Sequence, residues 1–331
     1  MRAASSRSRL VKRLLALAAL LGALAGVLLL VPSDHYLFLP DRARPVDPLV
    51  TVPGERRGAE RGGIYMVDIL VRKANLLERI FPGVENGASL VPDEVVNPQG
   101  LSESQRRRES LGEMSASQKI AVAVALRSLG RKVPAETEVV GVEAGSPAEE
   151  KLRKGDVILE AKGRRIESPV DLFAAMHDEK PGDRVRLTIR RAGKERELVV
   201  GTKRAEGENR AVMGILVDLE IRPPLDVHVD AGDVGGPSAG LAFALDIVDE
   251  LGRDVDGGRR IAVTGALDLD GSVVAIGGIK QKTLGAREAG ANVFVVPDEN
   301  ARDARRYADG LEVVPVSSFA EAVSKLKARG G

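Results

Sequence analysis

From Leu14 to Val31 the chain reads LLALAALLGALAGVLLLV, an uncharged run closed by Pro32. No other segment limits the fold as much, because so long an apolar stretch must lie in a core, lie in lipid or be removed. As a helix rising about 1.5 Å per residue, it crosses a hydrocarbon layer of about 30 Å with little to spare. Arg2, Arg7, Arg9, Lys12 and Arg13 precede it, and basic residues keep their end of a span in the cytoplasm. Ala23-Leu24-Ala25 also fits a signal-cleavage site, but apolar residues continue for another turn and a half, where a cleavable signal turns polar. The expectation is a cytoplasmic basic tail at 1–13, a retained transmembrane anchor at 14–31, and the rest of a single-pass protein outside the cell membrane.

Composition excludes several chemistries. The 49 basic and 48 acidic residues leave a net charge of +1, aromatic residues are 3% of the chain, and tryptophan is absent. Nucleic acid therefore finds neither a basic field nor a stacking platform. Without cysteine there is no thiol nucleophile, disulfide or thiolate metal site. His35, His177 and His228 lie far apart, with no close pair of ligands. Neither metal nor cofactor is expected.

After the anchor, residues 32–62 are rich in proline, arginine and glycine and are expected to form an irregular extended linker. GGIYMVDILVR (62–72) has strand character, and Asn97–Glu113, with Arg106-Arg107-Arg108, is expected to be a solvated connection. Helical periodicity returns in SQKIAVAVALRSLGR from Ser117. Residues 133–203 then give a strand, a short helix after Ser146-Pro147, a turn at Lys154-Gly155-Asp156 and two short strands. A helix capped by Ser168 and a hairpin turning at Ala192-Gly193 complete this stretch. Beyond Ala205, strands and helices alternate to the end, as in a compact α+β or α/β domain.

The chemistry-bearing stretch is VGGPSAGLAF (234–243). Two glycines and a proline shape a backbone for close approach, and Ser238 follows directly. Serine there is either a helix N-cap or a nucleophile. A nucleophilic serine needs a base. One candidate is His228, ten residues earlier in DVHVD, where strand alternation sets Asp226, His228 and Asp230 on one face. The other is a lysine in GGIKQKTLGAREAGA, which must be neutral and so must sit in a dry setting. At 100° per residue Lys282 falls on the stripe of Ile279, Ala286 and Ala289, whereas Lys280 lies with Thr283 and Arg287. Lys282 is thus the inward lysine.

Two resemblances add to these readings. GSPAEE, KGDVILEAKGRRI and GDRVRLTIRR, in their order, resemble bacterial PDZ domains. This implies a module that takes an extended peptide beside a sheet edge, although the carboxylate-binding loop is not placed by it. GGPSAG with TGALDLDGSVVAIGGIKQK, the serine and Lys282 being 44 positions apart (282 minus 238), resembles the proteolytic domain of Lon-type serine proteases from about 211 onward. The resemblance implies a catalytic pair of Ser238 and Lys282, with Thr264 of the T-G step holding the lysine. Many Lon domains carry an acidic residue where Gly235 stands, so the holding of this loop is open.

Together these imply an α+β chain: a Lon-type proteolytic domain with an inserted PDZ domain and an N-terminal transmembrane helix, similar to membrane-anchored PDZ-containing Lon-like bacterial proteases. The expected divisions are linker and N-terminal protease region at 32–116, PDZ domain at 117–205 and proteolytic domain at 206–331, the strand near Ile64 joining the proteolytic domain. No G-x-x-x-x-G-K-[ST] occurs, so the expected activity is ATP-independent cleavage of unfolded or flexible protein segments. Ser238 would attack, Lys282 would act as base, and Ser238 N–H with the Gly235–Gly236 loop would form the oxyanion hole. Asp226, His228 and Asp230 would border the substrate cleft. The expected partners are protein or peptide substrates, a peptide at the PDZ domain, the membrane and, as Lon-type domains often assemble in rings, further copies of the chain. The rival expectations are a non-catalytic membrane-tethered PDZ scaffold binding protein C-termini, and a Ser–His hydrolase using His228.

Overall fold

The computed structural model describes residues 2–53, 62–83, 85–98, 100–205 and 210–328; the side chains of 2–14 and of Leu24 lie outside the description. Arg2–Leu30 is one helix. Its described side chains stand mostly exposed, Leu20 at 66% and Leu30 at 83%. Among the described residues no helix is long and apolar enough to cross a membrane. The expected anchor at 14–31 falls partly outside them, as does the basic tail at 1–13.

The described part of the segment expected to be a linker, 32–53, carries regular structure instead, and 54–61 lie outside the described residues. Pro32–Pro40 is a strand, antiparallel to both Ile69–Asn75 and Ser89–Pro92. Tyr36, Leu37 and Leu39 are buried there. The two prolines sit at the strand ends, where a missing N–H costs the ladder least.

The main sheet is built from Arg44–Pro45, Gly63–Met66, Arg260–Val263, Val293–Pro297 and Glu312–Val316, in that order. The last four strands run parallel and the first is an antiparallel edge. The strand near Ile64 is therefore the neighbour of Arg260–Val263, Ile64 opposite Ile261. Central parallel strands are covered on both faces and so are apolar at successive positions. Alternation divides them: Ile261, Val263, Val293 and Val295 join one core, while Ala262, Phe294 and Val296 join the other. Gly240–Val248, with all nine residues buried, and the long helix Glu103–Ser128 cover the first face. Ile279–Glu288 and Asp298–Arg305 pack at the second.

The stretch expected to be a solvated connection lies mostly inside this long helix. Ser102 accepts from Gln105 N–H, Gln105 returns the bond to Ser102 N–H, and the helix starts at Glu103 rather than at 117. The expected division at 117 thus falls within one helix, and its buried apolar residues from Met114 to Leu126 belong to the core on the first face of the main sheet.

A second core gathers Val139, Leu152, Ile158, Leu172, Leu187 and Val200. Its antiparallel sheet has the order Lys194–Gly201, Arg184–Arg191, Val157–Ala161, Ala135–Val142, Ile215–Ile221. Ala192 and Gly193 take φ of 48° and 76°, the pair of positive values a two-residue type I′ hairpin needs. Ser168 caps Pro169–Met176 in a reciprocal box with Asp171. After Ser146-Pro147 the chain makes turns where a short helix was expected. The outermost strand, Ile215–Ile221, is supplied from beyond residue 205, and its Asp218 carboxylate and Leu219 carbonyl accept from Lys119 of the long helix.

Candidate active site

Ser238 sits between the loop Val234–Pro237 and the buried helix Gly240–Val248. Gly236 takes φ +81°, which glycine tolerates freely. The N-cap of the helix is Ala239 and no side chain caps it, so the serine hydroxyl is not consumed by helix initiation. Ser238's carbonyl accepts from Gly265 N–H at 2.9 Å and from Thr264 Oγ1 at 3.3 Å. These bonds tie the serine to the chain leaving Arg260–Val263.

Lys282 comes from the helix Ile279–Glu288 and is 2% exposed. Its Nζ donates to Ser238 Oγ at 2.6 Å and to Thr264 Oγ1 at 3.1 Å. Burial pushes its pKa down from 10.5 to about 8, the Asp68 carboxylate pulling the other way. Lys280 turns aside and donates to Ala88 O and Ser89 Oγ. The helix phase that separates the two lysines in the sequence separates them in the fold. Gly285, one turn on, packs so tightly that a Cβ there would lie 1.9 Å from Asp41's carbonyl oxygen.

The long helix Glu103–Ser128 holds the loop before the serine. Gly236 N–H donates to Ser110 O at 2.8 Å, and Ser117 Oγ donates to Pro237 O at 3.0 Å. A Cβ on Gly235 would meet Ser110 Oγ at 2.3 Å, so the space an acidic side chain would need is filled by this helix. Gly236 N–H is consequently not a free oxyanion donor, contrary to expectation, because Ser110's carbonyl takes it. Ser238 N–H meets no acceptor among the described residues.

Ser238 and Lys282 open on a cleft of about 1060 Å³ lined also by Gly235, Gly236, Asp230 and Asp68. Asp226 and His228 are not in its lining. His228 is exposed on a two-residue strand facing Thr51, because regular pairing covers only His228–Val229 of DVHVD. Sequence reasoning missed Ser110, Ser117 and Asp68. The Ser102–Gln105 capping signature places the first two on one long helix, but no local signal gives their contacts with the loop. Elsewhere, Asp249, Asp254 and Asp256 bring carboxylate oxygens within 4.8 Å of one another, but Asp249 Oδ1 already accepts from the backbone N–H groups of Val255 and Asp256.

Two segments of the chain are similar to known proteins. Residues 211–327 match the Lon protease (S16) C-terminal proteolytic domain, and residues 118–202 match the PDZ domain. The Lon protease of Azorhizobium caulinodans is 40% identical over 117 residues, which are 32% of this chain and 14% of that protein. Lon protease 2 of Bacillus subtilis is 30% identical over 127 residues, 37% of this chain and 23% of that one. The matched part thus spans about a seventh of the first of these relatives and under a quarter of the second. Among solved structures, the PDZ domain of an SdrC-like protein from Listeria innocua is 26% identical, covering 25% of this chain and 92% of that one at a TM-score of 0.24. The chain carries a Lon-type proteolytic domain and a PDZ domain, which supports a serine peptidase.

Proposed function

We propose that the chain is a membrane-anchored, ATP-independent serine endopeptidase whose catalytic pair is Ser238 and Lys282. The observation that carries this is the 2.6 Å contact between a lysine amine 2% exposed and a serine hydroxyl at the edge of an open cleft. A neutral Lys282 takes the proton as Ser238 Oγ adds to the scissile carbonyl, and returns it to the amine that leaves when the peptide bond breaks. Water then attacks the acyl-serine by the same proton route and frees the serine. Thr264 holds the amine toward Ser238. The oxyanion is met by Ser238 N–H, a kind of donor worth about 2.7–4 kcal/mol.

No G-x-x-x-x-G-K-[ST] occurs in the 331 residues, and ATP-independent cleavage is the reading that fits them. Its substrates are then unfolded or flexible segments, delivered or gated by a peptide at the PDZ domain. The uncharged run 14–31 and its exposed leucines support an anchor, with the proteolytic domain outside the cytoplasmic membrane. Assembly into a homo-oligomer belongs to the same proposal, and sedimentation of the detergent-solubilised chain would read it. The deciding experiment offers an unfolded protein to the wild type and to Ser238→Ala, Lys282→Ala and His228→Ala. Cleavage should vanish in the first two variants and persist in the third; equal cleavage by all four proteins refutes the pair.

A further inference from the structure

The loop before Ser238 is oriented by a helix more than a hundred residues upstream in sequence, and the direction of its peptide planes matters for chemistry. Among the described residues all peptide bonds are trans, and in a planar trans peptide the C=O of one residue and the N–H of the next point in opposite directions. Whatever holds Pro237 O therefore also aims Ser238 N–H. Pro237 O has two donors. One is Gly240 N–H at 3.3 Å, within the first turn of the serine's own helix; the other is Ser117 Oγ at 3.0 Å.

Ser117 is 2% exposed, and a Cβ on Gly240 would lie 2.6 Å from its Oγ. Its hydroxyl is thus confined between two backbones, with little freedom to swing away. The neighbouring donor, Gly236 N–H, is bound to Ser110 O and unavailable. Among the described residues Ser238 N–H is left without an acceptor, and it points away from the helix that carries Ser117.

We propose that Ser117 is a positioning residue for the peptidase reaction: by bonding Pro237 O it fixes the Pro237–Ser238 peptide plane and so aims Ser238 N–H at the oxyanion. Ser117 touches no reacting atom and acts only through this peptide. The inference rests on the Ser238–Lys282 reading, and goes beyond it by assigning a function to a residue of the long helix. Because the oxyanion forms only on the way to the tetrahedral intermediate, loss of aim should lower turnover without weakening the binding of the uncharged carbonyl substrate.

The test compares full-length wild type and Ser117→Ala on a fluorogenic peptide, with a peptide aldehyde as inhibitor, since the aldehyde adds the serine oxygen and develops the same oxyanion. Ser117→Ala is expected to lower kcat by roughly tenfold to a hundredfold, less than or similar to the loss of a whole donor, with KM within about twofold. Aldehyde inhibition should weaken by the same factor as kcat/KM. The inflection of the pH–rate profile should stay in place, because Lys282 and its partners are untouched. If Ser117→Ala melts below the assay temperature, Ser117→Cys, of nearly the same shape and with a weaker donor, is judged by the same criteria. Wild-type kcat in the variant, or a kcat loss with unchanged aldehyde affinity, overturns the assignment while leaving the catalytic pair standing. A wild-type chain that cuts nothing, or that cuts equally without Ser238, overturns both.

Discussion

Replacing Lys282 with methionine measures how far the amine lies from water, and needs no substrate. The side chain is 2% exposed and burial pushes its pKa from 10.5 to about 8. That difference is worth about 3 kcal/mol between the two protonation states. The folded pKa lies below the unfolded one, so the fold carries the whole penalty below about pH 8 and sheds it as pH rises from 8 to 10.5. Methionine has a similar shape and no charge. It removes the penalty but forfeits the bonds to Ser238 and Thr264, which at about 1 kcal/mol each total about 2 kcal/mol. Lys282→Met should therefore be more stable than wild type by about 1 kcal/mol at pH 7, and less stable by about 2 kcal/mol at pH 10.5. For a domain of this class 1 kcal/mol moves Tm by about 2–4 °C. Calorimetric melting of the proteolytic domain's transition at the two pH values is sufficient to read the change of sign. An equal loss of stability at both would mean that the amine is already hydrated, and the argument for a neutral lysine would fail.

The same titration governs turnover: kcat/KM for a peptide without groups titrating in this range should rise tenfold per pH unit below about pH 8 and level off above it, whereas an inflection beyond pH 10 would indicate an ordinary lysine. Gly240→Ala, whose Cβ would lie 2.6 Å from the confined Ser117 hydroxyl, should lose about 1–3 kcal/mol of stability in urea unfolding; a change under about 0.5 kcal/mol would show that the contact yields. Asp246 is a carboxyl pushed up to about 8 by burial and then by Glu250. The fold pays most for it above that pH and least near pH 4, so Asp246→Asn should raise Tm more at pH 9 than at pH 5, and an equal rise at both would contradict the burial argument.

The parts of the site that follow from local periodicity were readable before any coordinates. The phase of one helix distinguishes Lys282 from Lys280, and the apolar runs at Arg260–Val263 and Val293–Pro297 read as strands, whose parallel pairing only the fold supplies. What stayed hidden was carried by packing between distant segments. Nothing near Ser117 says that its hydroxyl will meet Pro237, 120 positions away. The start of its helix was encoded in Ser102 and Gln105, but the three arginines that follow have the look of a solvated charge run. Pro32–Pro40 was obscured in the same way, since proline, arginine and glycine around it suggest a linker while its buried Tyr36, Leu37 and Leu39 find partners only in strands thirty or more positions on. His228 misled in the opposite direction: it is close to Ser238 in sequence and faces Thr51 instead.

Gly285 carries no polar atom toward the cleft, yet any larger residue would drive its helix away from Asp41 and take the lysine along. In a survey of random variants this position should score as intolerant as the nucleophile itself. An observer ranking residues by lost activity would count it among the chemical groups, although all it contributes is the absence of a methyl.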